Sequence, residues 1–353
     1  MNDSFNINTK LRRGLPQYRH ERADMLIVVL LIVACAIVVA LYQKQTNGVC
    51  QSRRRLDGRT AIVTGGTSGM GLHIAEELAR RGARVIVACP FPAEGAAGLA
   101  HVRSRSGNDD VVFKLLDLGS LESVRAFATH VLATEQRLDI LVNNAGVGVP
   151  GDFLTRDGLS FIMQVNYFGT FQLTLLLLPL LIKSGSPEDP SRIVNTSSIA
   201  HWIGTADMKR LTGAGHYWPT VRVYANSKLC LVLFTHELAK RLRGTNVVVN
   251  CVDPGAVGTR IFESLNKLVG IVLNVAVQCL FKTARQGAQT ALHVALDEAA
   301  GRVSGQLFKN CAVSRGAARA YRDDTALQLW DESARLVHLT PAHIEKCFLS
   351  STF

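Results

Sequence analysis

Short apolar runs alternate with helix-length segments along this chain from residue 61 to residue 252. Ala61-Ile62-Val63, Val85 to Ala88, Val111 to Leu115, Ile140-Leu141-Val142, Arg192 to Asn195 and Val247 to Val252 have the length and β-branched content of strands. Between them, His73 to Arg81 (ended by Gly82), Val124 to Glu135, Phe161 to Leu181 and Tyr224 to Leu242 carry helical patterns. Strands that are apolar throughout, rather than alternately, are buried on both faces. Alternation with helices therefore predicts an α/β fold with one doubly wound parallel sheet of the Rossmann type. No repeat or low-complexity tract interrupts the pattern.

The chain has 353 residues, 48% hydrophobic and 19% charged, enough for one large domain with a full core and more besides. The surplus is at the front. Met25 to Tyr42 is an uncharged apolar run whose helix, at about 1.5 Å per residue, nearly crosses a hydrocarbon layer of about 30 Å. A cleaved signal peptide would have a shorter apolar core and an A-x-A-like site, whereas Tyr42-Gln43-Lys44-Gln45 follows here. The reading is an uncleaved transmembrane helix. The net charge of +11 is concentrated around it, in Lys10, Arg12, Arg13, Arg19, Arg22, Lys44 and Arg53 to Arg55. Such flanks suit anionic lipid headgroups. No basic stripe with interleaved aromatics supports a nucleic-acid partner. Eight scattered cysteines without a C-x-x-C pair argue for reduced, mostly buried thiols and against a zinc site, and no metal is expected. Both ends of the apolar run are basic, so charge does not orient it. Asn195-Thr196-Ser197 is a glycosylation sequon on a predicted internal strand, where a glycan would be ruinous, which favours a cytosolic domain.

Thr64-Gly65-Gly66-Thr67-Ser68-Gly69-Met70-Gly71 joins the first strand to the first helix. Glycines let the backbone approach a pyrophosphate, and the helix N-terminus offers free N–H groups. The alternative is a tight structural turn. The spacing is G-x-x-x-G-x-G, not G-x-G-x-x-G. It resembles the short-chain dehydrogenase/reductase family, whose loop is TGxxxGxG. Four further stretches resemble that family in its order: Asn143-Asn144-Ala145-Gly146, Ser197-Ser198 after a strand, Tyr224-Ala225-Asn226-Ser227-Lys228, and Pro254-Gly255. The membrane-anchored retinol dehydrogenase branch is resembled more closely, through Asn47 to Cys50, Leu233 to Leu242 and Lys282 to Thr290. The resemblance divides the chain into a basic tail 1–24, an anchor 25–42, a linker 43–57 and a catalytic domain 58–345, which includes an apolar substrate-lid region 260–285. It implies an NAD(P)-dependent enzyme of the endoplasmic reticulum, single-pass, facing the cytosol. Its partners would be membrane lipid, a lipophilic substrate and a second copy of the chain.

A hydride delivered to a carbonyl leaves an alkoxide that needs a proton. Tyrosine, with a pKa of about 10, is a poor base at neutral pH unless a cation stabilises its phenolate. Lys228 follows Tyr224 by one helical turn, on the same face, and would lower the tyrosine pKa together with an oxidised nicotinamide. Alone, such a pair is also found on helix surfaces. The resemblance implies that Ser198 holds the substrate oxygen, with Ser197 as the alternative, and that Asn166 supports a water relay to the lysine. By itself Asn166 reads equally as a satisfied core amide. The same resemblance implies cofactor contacts from Gly65, Thr67, Ser68, Gly69, Met70 and Gly71. Others are implied from Asp117 (adenine, or only a turn aspartate), Asn143, Ala145, Gly146, Tyr224, Lys228, Pro254, Gly255, Val257 and Thr259. Pro90 stands where that branch has an arginine, and no acid ends the second strand, so the expected cofactor is NADP or NAD, with a lean to NADP. Retinol and retinal-like compounds lead the expected substrates, then steroids and polyprenols. The alternatives are a scaffold of the same fold with weak turnover and a sugar-nucleotide epimerase. The latter lacks its larger C-terminal domain.

Overall fold

The computed structural model describes residues 45–148, 152–208, 211–212, 220–258 and 281–349, with scattered positions between 27 and 42. The chain divides into two units, Met1–Asn47 with Arg260–Lys282, and Gly48–Thr259 with Thr283–Phe353. In the first, the described positions between Ile27 and Gln45 are helical, and Leu31, Val38 and Tyr42 are mostly exposed. The expected contact residue Thr259, and 260–280 of the expected lid, lie outside the described residues.

The second unit is built on one sheet of eight strands: β1 (Thr60–Thr64), β2 (Arg84–Cys89), β3 (Val111–Leu115), β4 (Ile140–Asn143), β5 (Ser191–Thr196), β6 (Val247–Asp253), β7 (Leu307–Lys309) and β8 (Ala312–Ser314). Their order is β3-β2-β1-β4-β5-β6-β7-β8, parallel except for the antiparallel β7–β8 edge pair. Side chains alternate between two cores. Ala61, Val63, Val85, Val87 and Val142 face one, closed by helix α1 (Gly69–Arg80) and a later helix, Ala284–Leu296. Ile62, Ile86, Leu141, Ile193 and Val249 face the other. That side is closed by α3 (Leu121–Thr134), α4 (Phe161–Ser184) and α5 (Thr220–Arg241). The doubly wound sheet is therefore as the pattern predicts. Helix α2 (Pro92–Ser106) and the C-terminal helices α6 (Ala284–Leu296), α7 (Asp323–Leu336) and α8 (Pro341–Phe348) complete it.

Two points bear on the site. Helix α4 is long and apolar enough to cross a membrane, but it is mostly buried in the protein and serves as a core helix. Residues 50–57, expected as linker, run along the sheet unit. Leu56 is wholly buried, its N–H donates to Arg81 O at 2.9 Å, and Arg54 pairs with Asp189. The sequon asparagine Asn195 is fully buried in β5, its amide donating to Thr235 Oγ1 at 2.9 Å.

Candidate active site

Strand order reverses between β1 and β4, so their carboxyl ends open a crevice, the usual ligand position in such sheets. The glycine loop occupies one wall. Gly65 turns there with φ +62°, and a side chain at Gly71 would run into the Gly65 carbonyl oxygen and come within 2.5 Å of Asn144 Nδ2. Gly69 has φ +53° and faces open space. Helix α1 begins after Ser68 with no side-chain cap, so the N–H groups of its first turn remain for a ligand.

The opposite wall is clasped to this loop. Thr64 Oγ1 accepts from the N–H groups of Asn144 and Ala145, both at 3.0 Å, and Asn144 Nδ2 donates to Thr64 O at 3.1 Å. Asn144 Oδ1 and, at the end of β5, Thr196 Oγ1 are buried without a protein partner. An uncapped helix end, a glycine cradle and unpaired polar atoms fit a dinucleotide phosphate group with its ribose. Asn143 points elsewhere: its amide donates to Asn195 Oδ1 (2.8 Å) and Thr174 Oγ1 (2.9 Å), inside the core. Met70 and Val257 meet over Gly287 of α6, each 2.6 Å from where its Cβ would stand, so Val257 does border the loop. Pro254 is buried and Gly255 turns with φ +81°. Asp117 Oδ1 accepts from Gly119 N at 2.8 Å, the turn role foreseen as its alternative.

The reacting groups gather beyond β5. The Ser198 hydroxyl stands near the Tyr224 phenol and opposes the effect of burial on it. Ser197 instead donates to Lys228 O at 2.7 Å and is buried, a structural part. Lys228 Nζ donates to Thr196 O at 3.1 Å and lies 5.6 Å from the centre of the Tyr224 ring. Asn166 sits in a π-helical turn of α4, Gln164–Phe168. There its Oδ1 accepts from Val147 N (2.8 Å) and its Nδ2 donates to Val147 O (3.1 Å) and Ser227 Oγ (3.0 Å). Gly146 lies between the two: a Cβ there would be 3.2 Å from Lys228 Nζ and 3.3 Å from Asn166 Oδ1.

In the protein without cofactor, burial governs both groups. Burial pushes the Tyr224 phenol above its ordinary 10.0; the Ser198 hydrogen bond opposes this and the nearby Asp253 carboxylate adds to it. In the protein alone the lysine does not acidify the phenol. Burial lowers Lys228 itself to about 8, and its amine is committed to a carbonyl.

Sequence reasoning missed two groups. His201, buried in the 3₁₀ turn after Ser198, has Nδ1 2.6 Å from Ser198 O and Nε2 3.3 Å from Ala317 N. A carbonyl only accepts and an N–H only donates, so the imidazole is neutral with its proton on Nδ1, as its lowered pKa requires. Arg319 donates to Trp202 O (2.9 Å) and Gly204 O (2.7 Å), so the 317–319 segment holds the serine turn from two sides. Asp253 is the other. No local pattern flags either residue.

Lys228 gives a stability test. Its folded pKa of about 8 lies below the ordinary 10.5, so between these values the unfolded chain binds more protons and stability rises with pH. The penalty is fully present below pH 8. The melting temperature of the cofactor-free protein should climb relative to Lys228→Met from pH 8 to pH 10.5; parallel curves would show that the amine is not depressed.

A protein arranged in this way cradles a dinucleotide and moves a proton beside it, the work of a nicotinamide-dependent oxidoreductase. The short chain dehydrogenase pattern matches residues 59–269, and the chain belongs to that family. Dehydrogenase/reductase SDR family member 13 of Bos taurus is 42% identical over 308 residues, covering 87% of this chain and 80% of that one. Retinol dehydrogenase 12 of Mus musculus is 40% identical over 291 residues, 82% of this chain and 90% of its own. Among solved structures, the Pseudomonas aeruginosa RhlG/NADP active-site complex superposes with a TM-score of 0.58 at 27% identity, over 72% of this chain and 95% of that one. The chain is thus an NAD(P)-dependent short-chain dehydrogenase/reductase acting on alcohols and their carbonyl counterparts.

Proposed function

We propose that this enzyme interconverts a lipophilic alcohol and its aldehyde or ketone, retinol and retinal-like compounds first, at a site formed by Ser198, Tyr224 and Lys228. The observation that carries the substrate class is the apolar rim of that site. Ile199, Trp202 and Ile203 follow Ser198, Val221 precedes Tyr224, and all four are about half exposed or more. Exposed large apolar groups clustered at a reactive pair suit a ligand that covers them. The names of the retinol dehydrogenase relatives point the same way.

When bound, NAD(P) supplies or takes the hydride at the carbinol carbon. The chain's own residues do the rest. Ser198 donates to the substrate oxygen, Tyr224 passes it the proton, and Lys228 stands behind the phenol, beside Gly146. Asn166 orders the Val147 backbone and, through Ser227, the helix turn that carries Tyr224. A phenol held above its ordinary pKa is protonated at neutral pH, which suits donation to an alkoxide and so favours reduction.

The apolar segment 25–42 anchors the enzyme in the endoplasmic reticulum membrane, single-pass, with the catalytic domain 58–345 on the cytosolic side. The apolar run in 260–285 is the part of the sequence that would suit a substrate lid. Support comes from the exposed apolar helix positions between 27 and 42 and from the sequon sealed in β5. The detergent-solubilised full chain, given aldehydes of retinoid, steroid and polyprenol type with each cofactor, should consume reduced cofactor fastest with the retinoid. Turnover of short polar aldehydes alone would refute the lipophilic reading.

A further inference from the structure

We infer that Glu94 makes this cofactor site select NAD(H) over NADP(H), against the lean drawn from the sequence. The inference rests on the reading of 64–71 as the cofactor loop. Helix α2 lies directly on that loop: a Cβ at Gly98 would be 2.9 Å from Thr67 Cα. Glu94 is one turn earlier on the same helical face, and its Oε1 accepts from Thr67 Oγ1 at 2.8 Å. That hydrogen bond holds the carboxylate between the phosphate loop and the end of β2. In a sheet of this order the adenosine ribose lies there, with its 2′-oxygen toward the residues that follow the second strand.

The charges around this spot have one sign. Segments 64–71, 89–98 and 115–121, which follow β1, β2 and β3, contain Glu94 and Asp117 and no lysine or arginine. Pro90 occupies the first position after β2, and Phe91 beside it is exposed. Lys114, the nearest cation along β3, gives its amine to Thr134 Oγ1 at 3.2 Å and lies 3.8 Å from Glu135. Among the described residues Glu94 has no ion-pair partner. A ribose 2′-hydroxyl can donate to the free carboxylate oxygen. A 2′-phosphate would meet like charge with no cation to offset it.

Calorimetric binding to the detergent-solubilised full chain tests this without turnover, using ADP-ribose and 2′-phospho-ADP-ribose as probes. The wild type should bind ADP-ribose at least about tenfold more tightly, ~1.4 kcal/mol. Glu94→Gln keeps an oxygen for Thr67 and should bring the two affinities to within about threefold, and Glu94→Arg should reverse their order. Tighter wild-type binding of the 2′-phosphorylated probe, or a ratio unchanged in Glu94→Gln, overturns the inference. Binding of neither probe would overturn the cofactor-loop reading itself, and this inference with it.

Discussion

Tyr224→Phe should reduce turnover of a retinoid aldehyde by about 10²- to 10⁴-fold, the usual worth of a positioned proton donor. The substitution removes one oxygen from a half-buried ring that otherwise keeps its place on α5 beside Lys228. It deletes the hydroxyl beside Ser198, so the alkoxide left by hydride transfer loses its proposed proton source. Because burial holds the phenol above its ordinary pKa, oxidation, which needs the phenolate, should rise from pH 6 to pH 9. Steady-state kinetics in both directions checks each part. A variant retaining a tenth of wild-type turnover would show that another group supplies the proton.

Gly71→Ala should have the next largest effect. The added methyl has no free direction: it meets the Gly65 carbonyl oxygen and the Asn144 amide that clasps the loop to β4. Overpacking of this kind costs about 1–3 kcal/mol. Here it displaces the turn that would receive the pyrophosphate. Nucleotide affinity should therefore fall by about tenfold to a hundredfold, and the melting temperature should drop by several degrees. Gly69→Ala puts its methyl into open space but strains a backbone with φ +53°, so it should lose stability without blocking the loop. Equal nucleotide affinity in wild type and Gly71→Ala would place the phosphates elsewhere.

The parts legible in the sequence are those whose physics is local. The predicted strands are mostly apolar because the central strands of the sheet are covered on both faces, and each lies within a strand of the structure. The glycine loop, the Ser198 turn and the Tyr224–Lys228 spacing are short motifs near element ends, and the glycine loop and Ser198 turn follow the carboxyl ends of β1 and β5. Helix α2 was missed because its buried face is Gly95, Gly98 and Val102. Gly95 fits under the Phe113 ring and Gly98 against Thr67, so the helix packs by absence of side chains and shows no apolar stripe. Strands β7 and β8 have three residues each, too few to show a period. The π-helical turn that aims Asn166 at Val147 and Ser227 has no sequence signature.

Burial sets the direction of the Tyr224 shift in the protein without cofactor. Spacing shows that a lysine is near a tyrosine, but not that both are buried. Desolvation penalises both charged forms at once, raising the phenol and lowering the amine. His201 and Asp253 were invisible for a similar reason: their partners, Ala317 and Gly255 or Lys309, are defined by tertiary contact or by the turn after β6.

The central claim is that hydride passes between a nicotinamide and a lipophilic carbonyl while Tyr224 supplies the proton. Mass spectrometry of the alcohol formed from retinal and reduced cofactor deuterated at the transferring position tests it most directly. The wild type should place one deuterium on the carbinol carbon, and Tyr224→Phe should form almost no labelled alcohol in the same time. Unlabelled alcohol from the wild type, or labelled alcohol formed as fast by Tyr224→Phe, would contradict it.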